Sequence, residues 1–489
     1  MTYSSISLRL MISATDHQSS LFYVTFGREA ALIKDDLLTP IDSLLDDQAL
    51  VALVTEAQGH RSPQSRTTGR YAIAPDRLLR CCALKHLKDW SFRELERELR
   101  NSLVYRRFTR FDQDPIPTYS TLSRNFAVLG PATTQQIHNR VVKKALEESA
   151  AKAVKLRTDT TVVESNVHYP TDSTLLQDGI RVLTRAVKRI AQECPSGAVK
   201  LTDHARSAQR RVLEIHRAAK SFTEAARERM KQSYGGLMRL ARGVVRTADK
   251  VLEELRNGKL PVPGNLRRVV LNEAHLQHFT PLVKKVLHQT RARVFGGDRH
   301  VEGKILSLFE EHTRVICKGK VHKPTEFGRL VRIDEIENGI VSGYDVQDGN
   351  PADVNSWVPA LEQHERLFGH APKRATADRG FFSAKNEREA KVRGVKQVAL
   401  PARGRLSKGR AALQKQGWFR RLLRWRGGIE PRIATLKHRF GMDRAFYKGD
   451  NGFKRFVGWS VISQNLVSIA RVLSRRKAKK QDGGETKHK

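Results

Sequence analysis

Acidic residues are scarce in this chain of 489 residues: 51 Asp and Glu stand against 89 Lys and Arg, a net charge of +38. The bases are spread along the sequence and not gathered in one tail. Such a balance costs stability through self-repulsion unless a polyanion uses it, and nucleic acid is the first candidate. Cysteine is thin as well. Cys81, Cys82, Cys194 and Cys317 show no C-x-x-C spacing and no histidine spacing suited to zinc. That speaks against a structural metal and for a reducing compartment, with Cys81 and Cys82 expected in a helical core. No run of 18 apolar residues and no signal-peptide layout are apparent, so a cytoplasmic protein without a membrane partner is expected. No internal repeat is evident, and the length allows two to four domains.

What is present reads as alternating helical and strand-rich blocks. Residues 1–64 are mixed and end in a polar linker. Residues 65–150 read as a helical domain: Pro75 suits a first helical turn, Ser91 and Glu94 form a capping box, and Phe92, Leu95, Leu99 and Leu103 share a face. A further helix spans about 120–129 and carries Arg124. Short helices with tight breaks and exposed Arg, Ser and Asn fit a helix-turn-helix-like DNA-binding module or, equally, a dimerisation domain. Residues 154–163 are β-branched and read as a strand holding Asp159. From 174 to 295 the chain is helical and basic, with too few acids to pair its arginines, which favours a helical insertion facing nucleic acid.

Strands return after Gly296-Gly297. Asn338-Gly339 between two apolar runs signals a hairpin, and 358–367 reads as a helix. Ala375-Thr376-Ala377 then leads to Asp378, where the chain opens into a loop. Ser383 caps a helix to about Arg393, and 395–400 is the next strand. The resulting β-loop-α-β unit puts Asp378 at a strand-to-loop switch, the place where α/β folds carry chemistry. Pro431 places Glu430 near a helix start. A helix covers 453–473, within a C-terminal element of 446–475, and a charged, disordered tail is expected over 476–489. The order implies an α/β fold: a mixed sheet with flanking helices, interrupted by the insertion and preceded by an all-α domain, with 151–173 and 296–445 forming one domain.

Asp159, Asp378 and Glu430 are therefore three carboxylates in matching contexts within a basic chain. Such a set can hold hard divalent cations, and a pair of metals clamps both oxygens of a phosphoryl displacement. Glu164, Asp172 and Glu326 are rival acids, and Glu430 could instead serve the helix dipole alone. His168 and Tyr169 could contact DNA or close a turn.

These residues resemble a known family, the DDE transposases of bacterial insertion sequences, in particular the ISNCY-like group. The resemblance runs over about residues 70–465. Its motifs are the stretch from Asp159 to Asp172, Lys318 to Gly328 with Lys320, Ala377-Asp378-Arg379-Gly380-Phe381, and Arg426-Gly427-Gly428-Ile429-Glu430-Pro431-Arg432 with Lys437. It implies an RNase H-like core with Asp159, Asp378 and Glu430 as the catalytic, metal-binding triad, and two Mg²⁺ ions that Mn²⁺ can replace. It also implies cleavage at element ends and transfer of the 3′-hydroxyl into target DNA. The implied partners are double-stranded DNA (terminal inverted repeats and target) and a second copy of the chain, in a dimer or higher assembly in the nucleoid. Arg426 and Lys437 match the family's R and E-(6)-K signature, while Leu423 stands at its tyrosine. Arg426, Lys437, Arg432, His168, Tyr169, Lys320, Arg379 and Arg124 are the candidate DNA contacts. A catalytically inactive DNA-binding relative and an RNase H-like nuclease are the alternatives.

Overall fold

Local sequence signals set most element boundaries in the computed structural model, which describes residues 35–61, 72–112, 114–298, 300–317 and 324–485, with side chains as far as Lys479. Two compact units emerge: the residues up to Asn166 together with those from Ile316 onward, and Val167–Val315.

The first unit begins with helices α1 (Leu38–Leu45), α2 (Gln48–Gly59), α3 (Pro75–Leu87), α4 (Phe92–Asn101), α5 (Leu103–Phe108), α6 (Tyr119–Val128) and α7 (Pro131–Glu147). Pro75 opens α3 at a position whose N–H would have no helical partner. Ser91 caps α4 by accepting from the Glu94 N–H, while the Glu94 carboxylate accepts from the Ser91 N–H at 2.7 Å. Cys81 and Cys82 are buried, and burial pushes the Cys81 thiol up to about 12.

Strand β1 (Lys155–Ser165) follows, β2 (Arg314–Ile316) spans the end of the second unit, and β3 (Glu326–Glu335) and β4 (Val341–Val346) come after it. Asn338 and Gly339 both take positive φ, 59° and 74°, which is why the Asn-Gly pair reverses the chain between β3 and β4. Helix α12 (Trp357–Phe368), β5 (Arg374–Thr376), α13 (Ala384–Val392) and β6 (Gln397–Ala399) complete the central part. The sheet runs β2-β3-β1-β5-β6, with β4 on β3 and the two-residue β7 (Arg444–Ala445) on β1. β1 is antiparallel to β3 and parallel to β5, so it is the strand about which the sheet changes direction.

Helices α14 (Lys408–Lys415), α15 (Gly417–Arg426), α16 (Ile429–Arg439) and α17 (Gly449–Glu485) close the unit. α17 is long and apolar enough to cross a membrane by length and composition alone. Its apolar window is 83% buried inside the protein, which marks it as a core helix. The expected charged tail differs, because α17 runs on to Glu485. Arg475, Lys477, Ala478 and Lys479 are good helix formers, and they extend a helix already nucleated by packing.

A single apolar core joins Leu79, Leu84 and Val142 of the N-terminal helices to Leu156, Ala375 and Val398 of the sheet and to Trp459 and Leu466 of α17. The N-terminal helices therefore share their core with the sheet, where the sequence pointed to a separate all-α block.

The second unit consists of α8 (Asp172–Ala191), α9 (Ala205–Ala218), α10 (Glu224–Arg256) and α11 (Leu266–Val294). Its own core includes Leu183, Leu237, Val244, Leu276 and Val283. A Cβ on Gly179 would lie 2.6 Å from Val283, so glycine lets α8 and α11 approach closely. Arg206, Arg210, Arg217, Arg227, Arg229, Lys231, Arg239, Arg242 and Arg246 are exposed, as the sparse acids required.

Candidate active site

Asp159 sits in the middle of β1, opposite Ile333 of β3. On its other side β5 pairs only as far as Arg157 with Thr376. Asp159 and Asp378 each lie two residues beyond that last pair. β5 has ended at Thr376, so Asp378 belongs to the loop that follows it and not to the strand. Asp378 begins a single turn of 3-10 helix, Arg379–Phe381, and accepts the Gly380 N–H at 2.6 Å.

Glu430 arrives from the far end of the chain. It is in the first turn of α16, where the positive end of the helix dipole favours a carboxylate. Arg426, the last residue of α15, joins it to β1: one guanidinium nitrogen is 3.2 Å from Asp159 and 3.5 Å from Glu430. The Glu430 side chain is 67% exposed and that of Asp159 only 16%, so Arg426 links an open carboxylate to a sheltered one.

The turn that carries Glu430 rests on a buried ion network. Arg157 donates to the Glu335 carboxylate at 3.1 Å and 2.5 Å, and its remaining amine donates to the Trp425 carbonyl. Its guanidinium stacks 4.6 Å from the Trp425 ring. Arg432 of α16 approaches the same Glu335 at 3.5 Å. Burial pushes the Glu335 carboxyl up, while Arg157 pulls it back down. A Cβ on Gly428 would stand 2.5 Å from the Arg157 amine, which explains a glycine between α15 and α16.

The other candidates fall in different places. Lys437 is 3.4 Å from Asp443, and Arg432 is 3.5 Å from buried Glu335. Arg379 and Arg124 are exposed. His168 and Tyr169 belong to the second unit; His168 is 3.8 Å from Asp178 and Tyr169 is largely exposed. Lys320 lies outside the described residues. Of the rival acids, Glu164 is buried and paired with Arg444 at 2.7 Å, and Glu326 is buried on β3. Asp172 is buried beside Gln289 and Arg293 at 3.0 Å each. Arg157, Glu335, Thr160 and Asp353 are the residues that sequence reasoning missed. A charged residue near a strand end reads as solvated, and only three-dimensional pairing shows otherwise.

Among the described residues no three acidic, histidine or cysteine side chains converge tightly enough to hold a metal ion. Yet Asp159 and Glu430 already share one cationic group, and all three acids offer the oxygen ligands that hard divalent ions prefer.

Comparison with known proteins adds two matches. Residues 27–127 match the family described as "Transposase domain (DUF772)", and residues 335–466 match "Transposase DDE domain". The second match contains Asp378, Arg426 and Glu430, and Asp159 lies between the two. No curated protein and no solved structure matches the chain. With a transposase domain ahead of the sheet and a transposase DDE domain spanning two of the three acids, the two matches support an insertion-sequence DDE transposase.

Proposed function

We propose that this transposase cleaves DNA at the ends of its element and transfers the resulting 3′-hydroxyl into target DNA, with Asp159, Asp378 and Glu430 holding Mg²⁺. The observation that supports the reading is the link through Arg426 between Asp159 and Glu430, with Asp159 and Asp378 each two residues beyond the last β1–β5 pair. The path β4-β3-β1-β5-β6, antiparallel up to β1 and parallel beyond it, supports an RNase H-like core. Sequence motifs alone support the ISNCY-like grouping.

When bound, the metal supplies a Lewis acid for the attacking and leaving oxygens. The chain supplies the rest. Arg426 neutralises Asp159 and Glu430 until the site is loaded, and then becomes available to a phosphate oxygen. Exposed bases on α9 and α10 bind the phosphate backbone, so affinity for DNA falls steeply with salt. Two element ends must meet in one complex, which calls for a dimer or larger assembly on DNA in the cytoplasm.

The test is a cleavage and joining assay on DNA carrying the element ends, with Mg²⁺, comparing the wild type with Asp378→Ala. Nicking and joining by the wild type, reduced by at least 10³-fold in the variant, are expected for loss of a metal-binding carboxylate at the reacting centre (about 4 kcal/mol of barrier). Tight DNA binding with equal inactivity of both proteins would sink the catalytic reading.

A further inference from the structure

The loop between β4 and α12 brings a fourth carboxylate to the two central acids. We propose that Asp353 is a positioning residue of the active site, tying the strand of Asp159 to the turn that aims Asp378. The inference rests on the assignment of those two aspartates above.

One oxygen of Asp353 accepts a hydrogen bond from the Thr160 hydroxyl at 2.7 Å. Thr160 is the residue after Asp159, is buried, and projects from the opposite face of β1. Its N–H meanwhile donates to Asp159 Oδ1 at 2.7 Å. Thr160 thus holds Asp159 with its backbone and Asp353 with its side chain.

The second oxygen of Asp353 faces the Asp378 turn. A Cβ on Gly380 would stand 2.9 Å from Asp353 Oδ2 and 2.9 Å from Asp378 Oδ1, so both carboxylates press on one small space that only glycine leaves open. Gly380 is also the residue whose N–H orients Asp378. Asn386 braces the same pair of turns independently: its side-chain amine donates to the Val354 carbonyl at 2.7 Å and to the Phe381 carbonyl at 2.9 Å. The Trp357 ring N–H donates to the Asn386 carbonyl at 3.1 Å. Asp353 is therefore fixed from behind, and its bond to Thr160 sets the spacing between β1 and the 379–381 turn. A carboxylate is suited to this job because it can accept the threonine proton with one oxygen while its other stays small against Gly380.

The experiment compares Asp353→Ala, Asp353→Asn and Thr160→Val with the wild type in two readouts. The first is the Mg²⁺-dependent cleavage rate on element-end DNA; the second is amide hydrogen exchange across residues 376–386 of the DNA-free protein. Losing a residue that orients a metal-binding side chain typically costs 10- to 100-fold, so Asp353→Ala and Thr160→Val should each cleave at least about tenfold more slowly, with end-DNA affinity unchanged. Both should speed exchange in the 376–386 segment. Asp353→Asn keeps an oxygen that accepts from Thr160 and should recover both readouts to within about threefold. The double variant should be no worse than either single one. Wild-type exchange in Asp353→Ala, or failure of Asp353→Asn to recover, would overturn the proposal. If the wild type itself does not cleave, the exchange data still decide the role of Asp353, and the loss falls on the catalytic reading alone.

Discussion

Removing Glu335 tests the ion network beneath the Glu430 turn. Its carboxylate is fully buried and the guanidinium of its partner hardly less so: the Arg157 side chain is 8% exposed. Glu335→Ala leaves the Arg157 guanidinium in the interior with the Trp425 carbonyl and ring but no counter-charge. Stranding one member of a buried pair costs roughly 3–5 kcal/mol, whereas replacing both members by apolar groups of similar volume is often neutral. All five tryptophans (Trp90, Trp357, Trp418, Trp425 and Trp459) belong to the first unit, so their fluorescence in a urea titration reports that unit alone. At about 3 kcal/mol per molar urea, the transition of Glu335→Ala should fall by about 1 M or more. The pair replacement Arg157→Met with Glu335→Leu should regain most of that loss. Because Arg157 also packs against Gly428, cleavage should drop in the single variant even at urea concentrations where the protein is folded. A shift worth less than about 1 kcal/mol in Glu335→Ala would refute the claim that the pair carries the turn.

Three further outcomes are expected. Gly428→Ala places a methyl 2.5 Å from the Arg157 amine and should cost about 1–3 kcal/mol in the same titration, an effect erased when Arg157 is already Met. Burial lowers His138 and His364 to about 4, below the ordinary 6.5, so each contributes stability that is present above about pH 6.5 and is lost as the pH falls towards 4. For His138 that loss is on the order of 3 kcal/mol; thermal melts between pH 7.5 and 4.5 should show it, and a flat profile would contradict the burial. Arg426→Ala removes the internal cation from Asp159 and Glu430, so Mn²⁺ titrated calorimetrically into the DNA-free protein should bind more tightly than to the wild type.

The parts of the site that depend on local chemistry were legible from the sequence. The small-residue approach to Asp378, the Pro431 that starts a helix beside Glu430 and the Asn338-Gly339 reversal all act within a few residues. Arg157 and Glu335 were not legible, because the two are far apart in the chain and meet only through the β1–β3 register. The proximity of Arg432 to Glu335 was hidden for the same reason: in an Arg-rich segment, nothing local reveals which base lies against a buried acid. The N-terminal helices announced themselves by caps and periodicity, but their sharing of a core with α17 is a long-range property.

The central strand of the sheet has a consequence for biosynthesis. β1 pairs with β3, yet about 160 residues of intervening chain separate Ser165 from Glu326. At a ribosomal pace of about 5–20 residues per second, β1 waits on the order of ten seconds with an unpaired edge before its partner emerges. The second unit has its own apolar core, so it can condense in that interval and shorten the loop that β1 and β3 must close. Truncations that break the core of this unit would therefore leave a long unstructured loop between β1 and β3, and the open edge of β1 is the segment they put at risk of aggregation.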